Sequence, residues 1–484
     1  RPFPRLRLYV RLPRRREARP RGRGALAVAM SLSAVVAPHA QGSTERLEAD
    51  LRSLVSGHGE VEIGEVSSGA LSSQVAAQAL EFRGEAGERL IIDRYVVNGD
   101  YDSPDEVILE GLRLEDELSD MALVEIERIV LGEPSRAVFP LDGSLAPQDV
   151  SIATLAIDDI IVDFASELAR ELFDEADVDD TQARITIARV RGEGLSHAAI
   201  DRFEIADVSG VGESLGEFGA GSFTLASLVF EGLQGLDTEE QQHLDALVLS
   251  DLVIDAERLV GRLARLSVDG DMSDGEGGVV IDDFQADLAR MIELAPEEER
   301  AQLRMASNVL TDGSGNLRID AALLGNWQEG ETQSLITSDS QVTVHDALRL
   351  GFDIELPVVL PEGISPAAVF ADAEVLELAT LLGGNLRLIL NEEGLFGRMA
   401  TLGAAMEGIT ESQYIEQART QAEGFGMMFG PQVQQFLLGL VSLAEGTAEE
   451  LEVALTLPAE SNLETYTGAP LSLPERLKMR VETR

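Results

Sequence analysis

The stretch V-S-I-A-T-L-A-I-D-D-I, Val150 to Ile160, decides the fold because its spelling comes back. It returns as I-T-I-A-R-V-R-G-E-G-L from Ile185 and F-T-L-A-S-L-V-F-E-G-L from Phe223, with shorter copies from Ile92, Ile200, Leu244 and Leu263. Apolar residues fall at positions 1, 3, 6, 8 and 11 of the unit. An amphipathic helix needs steps of three and four, and a plain half-buried strand needs strict steps of two. Steps of two and three fit a strand that alternates, gains one residue at a β-bulge, and alternates again. The extra residue restores the face. Val150, Ile152, Leu155 and Ile157 then share one side, and Ser151, Thr154 and Asp158 the other. Each unit closes on Asp-Asp or Glu-Gly, which reads as turn chemistry.

The copies keep no period. Anchors at Ile152, Ile187, Ile200, Leu225, Leu244 and Leu263 lie 35, 13, 25, 19 and 19 residues apart, whereas a solenoid stacks coils of near-constant length. The step from Ile187 to Ile200 predicts a hairpin turning around Gly194–Ala198. The fold class is α+β: a long twisted antiparallel sheet of repeated bulged strands, with helices packed on it and a C-terminal helical pair. In this register Leu225, Leu228 and Phe230 are buried, while Ser227 and Glu231 are exposed.

Helical spacing is read at residues 43–56, 160–176 (Phe164, Leu168 and Leu172 on one face), 255–263, 286–310, 366–382, 411–423 and 431–445. Thr410 with Gln413 forms a capping box, and Pro431 suits the first turn of the last helix. Three regions follow: 1–42 as a leader, 43–310 as the repeated-strand region, and 311–484 as a second strand and helix region.

The first 24 residues carry ten arginines, followed by an apolar run from Ala25 to Ala37 that is too short to span a bilayer. That pattern predicts a signal peptide cleaved near Ala40–Gly42, and hence a periplasmic or otherwise exported location. The chain as a whole carries a formal net charge of −48, which disfavours nucleic acid and anionic lipid surfaces as partners. The absence of cysteine excludes disulfides, thiolate metal sites and cysteine nucleophiles.

Candidate chemistry is thin. Gly212-Glu-Ser214-Leu-Gly216 matches G-x-S-x-G, but a nucleophile elbow needs a strand before it and a helix directly after, and a loop-like E-F-G-A-G-S follows. His58, His197, His243 and His345 offer no recognisable base for Ser214. The same glycines spell a loose dinucleotide pattern with Glu213 where a pyrophosphate would sit. Asp269-Gly-Asp271-Met-Ser-Asp274-Gly-Glu276 resembles a calcium loop, yet Asp274 and Val280 stand where an EF-hand requires glycine and glutamate. The acidic run with Asp174, Asp177, Asp179 and Asp180 reads as a solvated loop. No catalytic, cofactor-binding or metal-ligating residue is assigned. One apolar contact site is: Phe425, Met427, Met428 and Phe429, set among glycines. It is expected to pack on the sheet, with contact to lipid or a hydrophobic partner as the alternative.

The h-x-h-x-x-h-x-h texture, with I-D-R-Y-V-V-N-G-D from Ile92 and G-N-L-R-I-D-A-A-L-L-G from Gly315, resembles AsmA-like envelope proteins of Gram-negative bacteria. The resemblance implies an elongated, apolar-lined β-sheet and a role in phospholipid movement or envelope homeostasis. It carries over no functional residue. The leading expectation is a non-enzymatic exported protein holding or transferring a lipid or acyl chain on the sheet, with lipid or envelope proteins as partners and no cofactor. A structural or assembly module of the envelope is the alternative, and a serine hydrolase using Ser214 comes third. An open apolar face favours the first; a face capped by helices favours the second.

Overall fold

The computed structural model describes residues 42–484 except 55–58, 70–72, 85–86, 117–118, 141–144, 166–182, 214–217, 239–241, 272–273, 331, 362, 365, 367–368, 370–372 and 462–471. The leader, Ser214, His58 and Asp174–Asp180 lie outside the described residues.

Eighteen antiparallel strands form one sheet. They begin with β1 (Gly59–Ser68), β2 (Gln74–Gly84), β3 (Glu88–Asp100), β4 (Ser103–Asp116), β5 (Ser119–Pro134) and β6 (Ser151–Asp163). The chain continues through β7 (Arg184–Ser196), β8 (Ala199–Gly212), β9 (Gly221–Gln234), β10 (Ala246–Ala256), β11 (Val260–Asp269) and β12 (Glu276–Asp287). It finishes with β13 (Asn316–Glu329), β14 (Ser334–Val344), β15 (Leu348–Val359), β16 (Thr380–Glu392), β17 (Glu450–Ser461) and β18 (Arg480–Thr483). Each strand pairs with the one before and after it in the chain, so the sheet is a meander with β1 and β18 at its edges. The ladder crosses the division at residue 311 unbroken, through the pairing of β12 with β13. The longer helices among the described residues are α1 (Ser43–Ser53), α2 (Glu297–Leu310), α3 (Leu395–Glu407), α4 (Glu411–Phe429) and α5 (Pro431–Glu445), with single helical turns at Leu288–Met291 and Leu473–Arg476. Among the described residues no helix is long and apolar enough to cross a membrane.

The expected extra residue is present, and it is shared. In β6 the pairing with β7 runs Ile152↔Leu195 and then Thr154↔Glu193, stepping over Ala153 and Gly194 together. Because the neighbour carries the same insertion, the register does not slip. Two seams of such residues cross the strands, six residues apart in β6 at Ala153 and Asp159. The even strands take a left-handed backbone on the first seam, at Ala79, Gly111, Asp159, Asp207, Asp251 and Asp283. Odd strands take it on the second, at Gly99, Glu133, Gly194 and Gly232. Glycine has no Cβ to clash in that conformation, and aspartate tolerates it better than most residues. The Asp158-Asp159, Glu193-Gly194 and Glu231-Gly232 pairs that read as turns are therefore mid-strand: β6, β7 and β9 continue past them. A turn and a seam need the same left-handed residue, which is why one spelling serves both.

Directly paired residues share a face, so the register draws continuous apolar lanes across the sheet. One runs Leu80, Ile92, Leu112, Ile126, Ile160, Ile187, Val208, Leu225, Leu252, Leu263, Phe284 and Ile319. The opposite face carries cross-strand ion pairs, among them Arg94–Glu110, Arg191–Asp158 and Arg387–Glu452. Seam aspartates join them: Asp93 with Arg113, Asp207 with Arg189, and Asp251 with Arg262.

Several helical expectations give way. Residues 255–263 hold the end of β10 and the start of β11, and the expected helix at 160–176 begins as strand, since β6 runs to Asp163 and 166–176 lie outside the described residues. The helix expected at 286–310 is present in pieces: a short helix at Leu288–Met291, a 3-10 turn at Ile292–Leu294, and α2 from Glu297. In 366–382, residues Ala373–Leu378 are a 3-10 turn and Thr380 already opens β16. Steps of three in the bulged strands imitate helical spacing over a short window. The β7–β8 hairpin is present, with its turn narrowed to His197–Ala198, and the Thr410/Gln413 capping box and Pro431 at the first turn of α5 are as read.

Candidate functional site

The lanes have the same spelling along the sheet, but their burial changes. On β2–β4, α1 sends Leu47 and Leu51 onto the sheet, and Val75, Ala77, Leu80, Ile92, Tyr95, Val97 and Val107 form one closed cluster with Ala137 and Val138. At the other end the lane through Ala321, Val342, Leu350, Leu390 and Leu451 passes beneath α5, where Leu443 and Leu451 are buried together. Val369, Leu376 and Ala379 pack with Leu356, Val358, Leu381 and Leu457. Between these covered ends, Ile157, Ile160, Ile187, Ile205, Leu228, Leu252, Leu263 and Phe284 are half-exposed, while Val190 in the lane between Ile157 and Ile205 is buried. The expected burial of Leu225, Leu228 and Phe230 does not occur; they are half-exposed, as are Ser227 and Glu231. The result is an apolar trough over β5–β12. At 4.8 Å per strand, eight strands span roughly 35 Å.

At the covered N-terminal end lies a cavity of about 360 Å³. Leu51 of α1, Leu54 just past its end, and Val138 and Phe139 face Phe82, Leu90, Ile92, Tyr95, Leu109, Leu112, Leu114 and Leu131 of the sheet. That volume lies in the range of small-molecule sites. Among the described residues of its wall, Glu88 and Tyr95 are the only ones with polar side chains. The Tyr95 hydroxyl donates to the Ala137 carbonyl at 2.6 Å, and burial pushes its ionisation well above the usual phenol range. α1 is pinned on its other side, where the Tyr101 hydroxyl donates to Asp50 Oδ2 at 2.8 Å. Burial and that hydrogen bond raise the Tyr101 phenol. Arg46 lies 4.7 Å over the Tyr101 ring and pairs with Asp102, whose carboxyl it holds low.

The apolar contact site predicted at Phe425, Met427, Met428 and Phe429 is elsewhere. These residues form the last turn of α4, which stays helical to Phe429 and breaks only at Gly430. Met427 is 86 % exposed, Met428 74 % and Phe425 47 %, so the tip does not pack on the sheet. Phe425 and Phe429 stack one turn apart, with ring centroids at 5.9 Å. Gly426 is buried, because Gln434 of α5 lies where a Cβ would be. Gly426 thus serves helix contact, while Gly430, with φ at +101°, makes the break between α4 and α5.

The three described histidines each meet a carboxylate: His197 with Asp237 at 3.8 Å, His243 with Asp245 at 2.9 Å, and His345 with Asp320. His243, Asp245 and Asp271 bring three ligand atoms within 4.8 Å of one another, a set able to hold a metal ion. Only Asp271 of these belongs to the loop singled out in the sequence; His243 and Asp245 arrive from the approach to β10, 26 residues or more away in the chain. In the same loop, burial and the nearby Asp274 raise the Asp269 carboxyl. The cavity residues were missed individually, although their lane positions were legible in the repeat. The chain matches no protein-family model and no curated protein.

Proposed function

We propose that this protein is a non-enzymatic carrier that holds acyl chains along the trough, exported to the cell envelope by the N-terminal leader. The observation that carries the reading is the contrast in cover: lanes of the same apolar composition are closed at both ends and, among the described residues, left largely half-exposed across β5–β12, with Leu123 and Val190 among the buried exceptions. Apolar surface of that extent, on a chain otherwise so acidic, is unfavourable in water and favours an apolar occupant. The 360 Å³ cavity gives a chain end a place to start. The resemblance to AsmA-like envelope proteins points the same way.

Native mass spectrometry of protein purified from an envelope fraction tests this. Co-purified lipid is expected, and Ile160→Asp with Ile187→Asp should remove it while the protein stays folded. A lipid-free spectrum, with no uptake from added lipid, would remove the carrier reading and leave an assembly role.

A further inference from the structure

Glu88 opens β3 and lies against Gly84, the last residue of β2. A Cβ at Gly84 would sit 2.4 Å from the Glu88 Cδ, so the missing side chain is what lets the carboxylate fold down onto the sheet. Both residues line the apolar cavity. There the Glu88 Oε2 atom is buried, with no hydrogen-bond partner among the described residues. A desolvated carboxylate oxygen left unpaired is unfavourable, and an occupant that donates to it removes the penalty. The cavity's other polar side chain, Tyr95, has its hydroxyl proton committed to Ala137. Among the described residues, Glu88 is thus the acceptor with spare capacity in an otherwise hydrocarbon wall.

We propose that Glu88 selects the head group of the bound amphiphile, accepting a hydrogen bond from a protonated amine while the chain fills the cavity. The proposal rests on the acyl-chain reading above and adds the class of ligand. An ammonium donor makes a charge-assisted bond to the carboxylate, stronger than a neutral hydroxyl makes. A fatty carboxylate offers no donor and meets like charge, both from Glu88 and from a chain of net charge −48.

Isothermal titration with dodecylamine, dodecanol and dodecanoate at pH 7 tests it. The amine should bind roughly tenfold more tightly than the alcohol, and the carboxylate most weakly. Ethanolamine, a head without a chain, should not bind. Glu88→Gln should reduce amine binding to the level of the alcohol and leave the alcohol unchanged. Glu60→Gln makes the same change in net charge on the exposed part of β1 and should keep the preference. Gly84→Ala, which pushes the carboxylate off the sheet, should weaken the preference through a second route. A preference that survives Glu88→Gln, or equal binding of all three amphiphiles, overturns the head-group assignment and leaves the acyl reading standing. Failure of all three to bind overturns both.

Discussion

The N-terminal end and the centre of the sheet are built from the same strand, yet they behave as different materials. Leu80 on β2 and Leu252 on β10 occupy the same lane, each beside its seam residue. Leu80 is wholly buried beneath α1, and Leu252 is half-exposed. The difference lies in what rests on the strand and not in the strand itself. A repeat therefore specifies backbone, register and facing, while elements outside the repeat decide whether the face becomes a core or a surface for binding.

The sharpest way to break this comparison is to truncate both leucines. Leu80→Ala should lower stability by about 2–5 kcal/mol, the range for emptying a packed site. Leu252→Ala should lower it by roughly 1 kcal/mol, because less area leaves water there. Denaturant midpoints measure both, and equal losses would mean that the centre is as closed as the end.

The seams should matter equally in both regions. Asp207→Val forces a β-branched residue into the left-handed backbone and should destabilise by roughly 1–2 kcal/mol. Asp207→Gly should stay within about 0.5 kcal/mol of the parent, since its pairing with Arg189 is exposed. If valine is tolerated, the seam is not what holds the strand geometry.

A pH titration sharpens the comparison from the covered end. The Tyr101 phenol is raised above its ordinary value by burial first and then by its hydrogen bond to Asp50. A raised phenol stabilises the fold fully below the unfolded value of about 10 and progressively less as the pH climbs beyond it. Stability should fall on the alkaline side, and Tyr101→Phe should flatten that fall. A parallel curve for the variant would show that this phenol is not held neutral by the fold. The smallest effect is expected at the tip of α4. Met428→Asp should change stability by less than about 0.5 kcal/mol, because the side chain is already in water. A larger drop would mean the tip is packed after all.

The repeat made the strands, their bulges and their facing legible from Val150, Ile185 and Phe223 onward. Cover was not legible, because Leu80 and Leu252 stand in the same local spelling and only the placement of α1 separates them. The left-handed seam was mistaken for turns at Asp159, Gly194 and Gly232, since both settings demand a residue that tolerates positive φ. The cavity was hidden for a further reason. Its wall joins α1, four strands and the segment at Val138–Phe139, and no short window contains them all.

The alternation of left-handed residues between even and odd strands makes the sheet modular in units of two. Excising β8 and β9 would place β7, with Gly194 on the second seam, beside β10, with Asp251 on the first, and the two would meet as β7 and β8 do now. Such a deletion shortens the trough by roughly 10 Å and leaves both closed ends untouched. Span is then a trait that hairpin duplication or loss can tune independently of what the ends recognise.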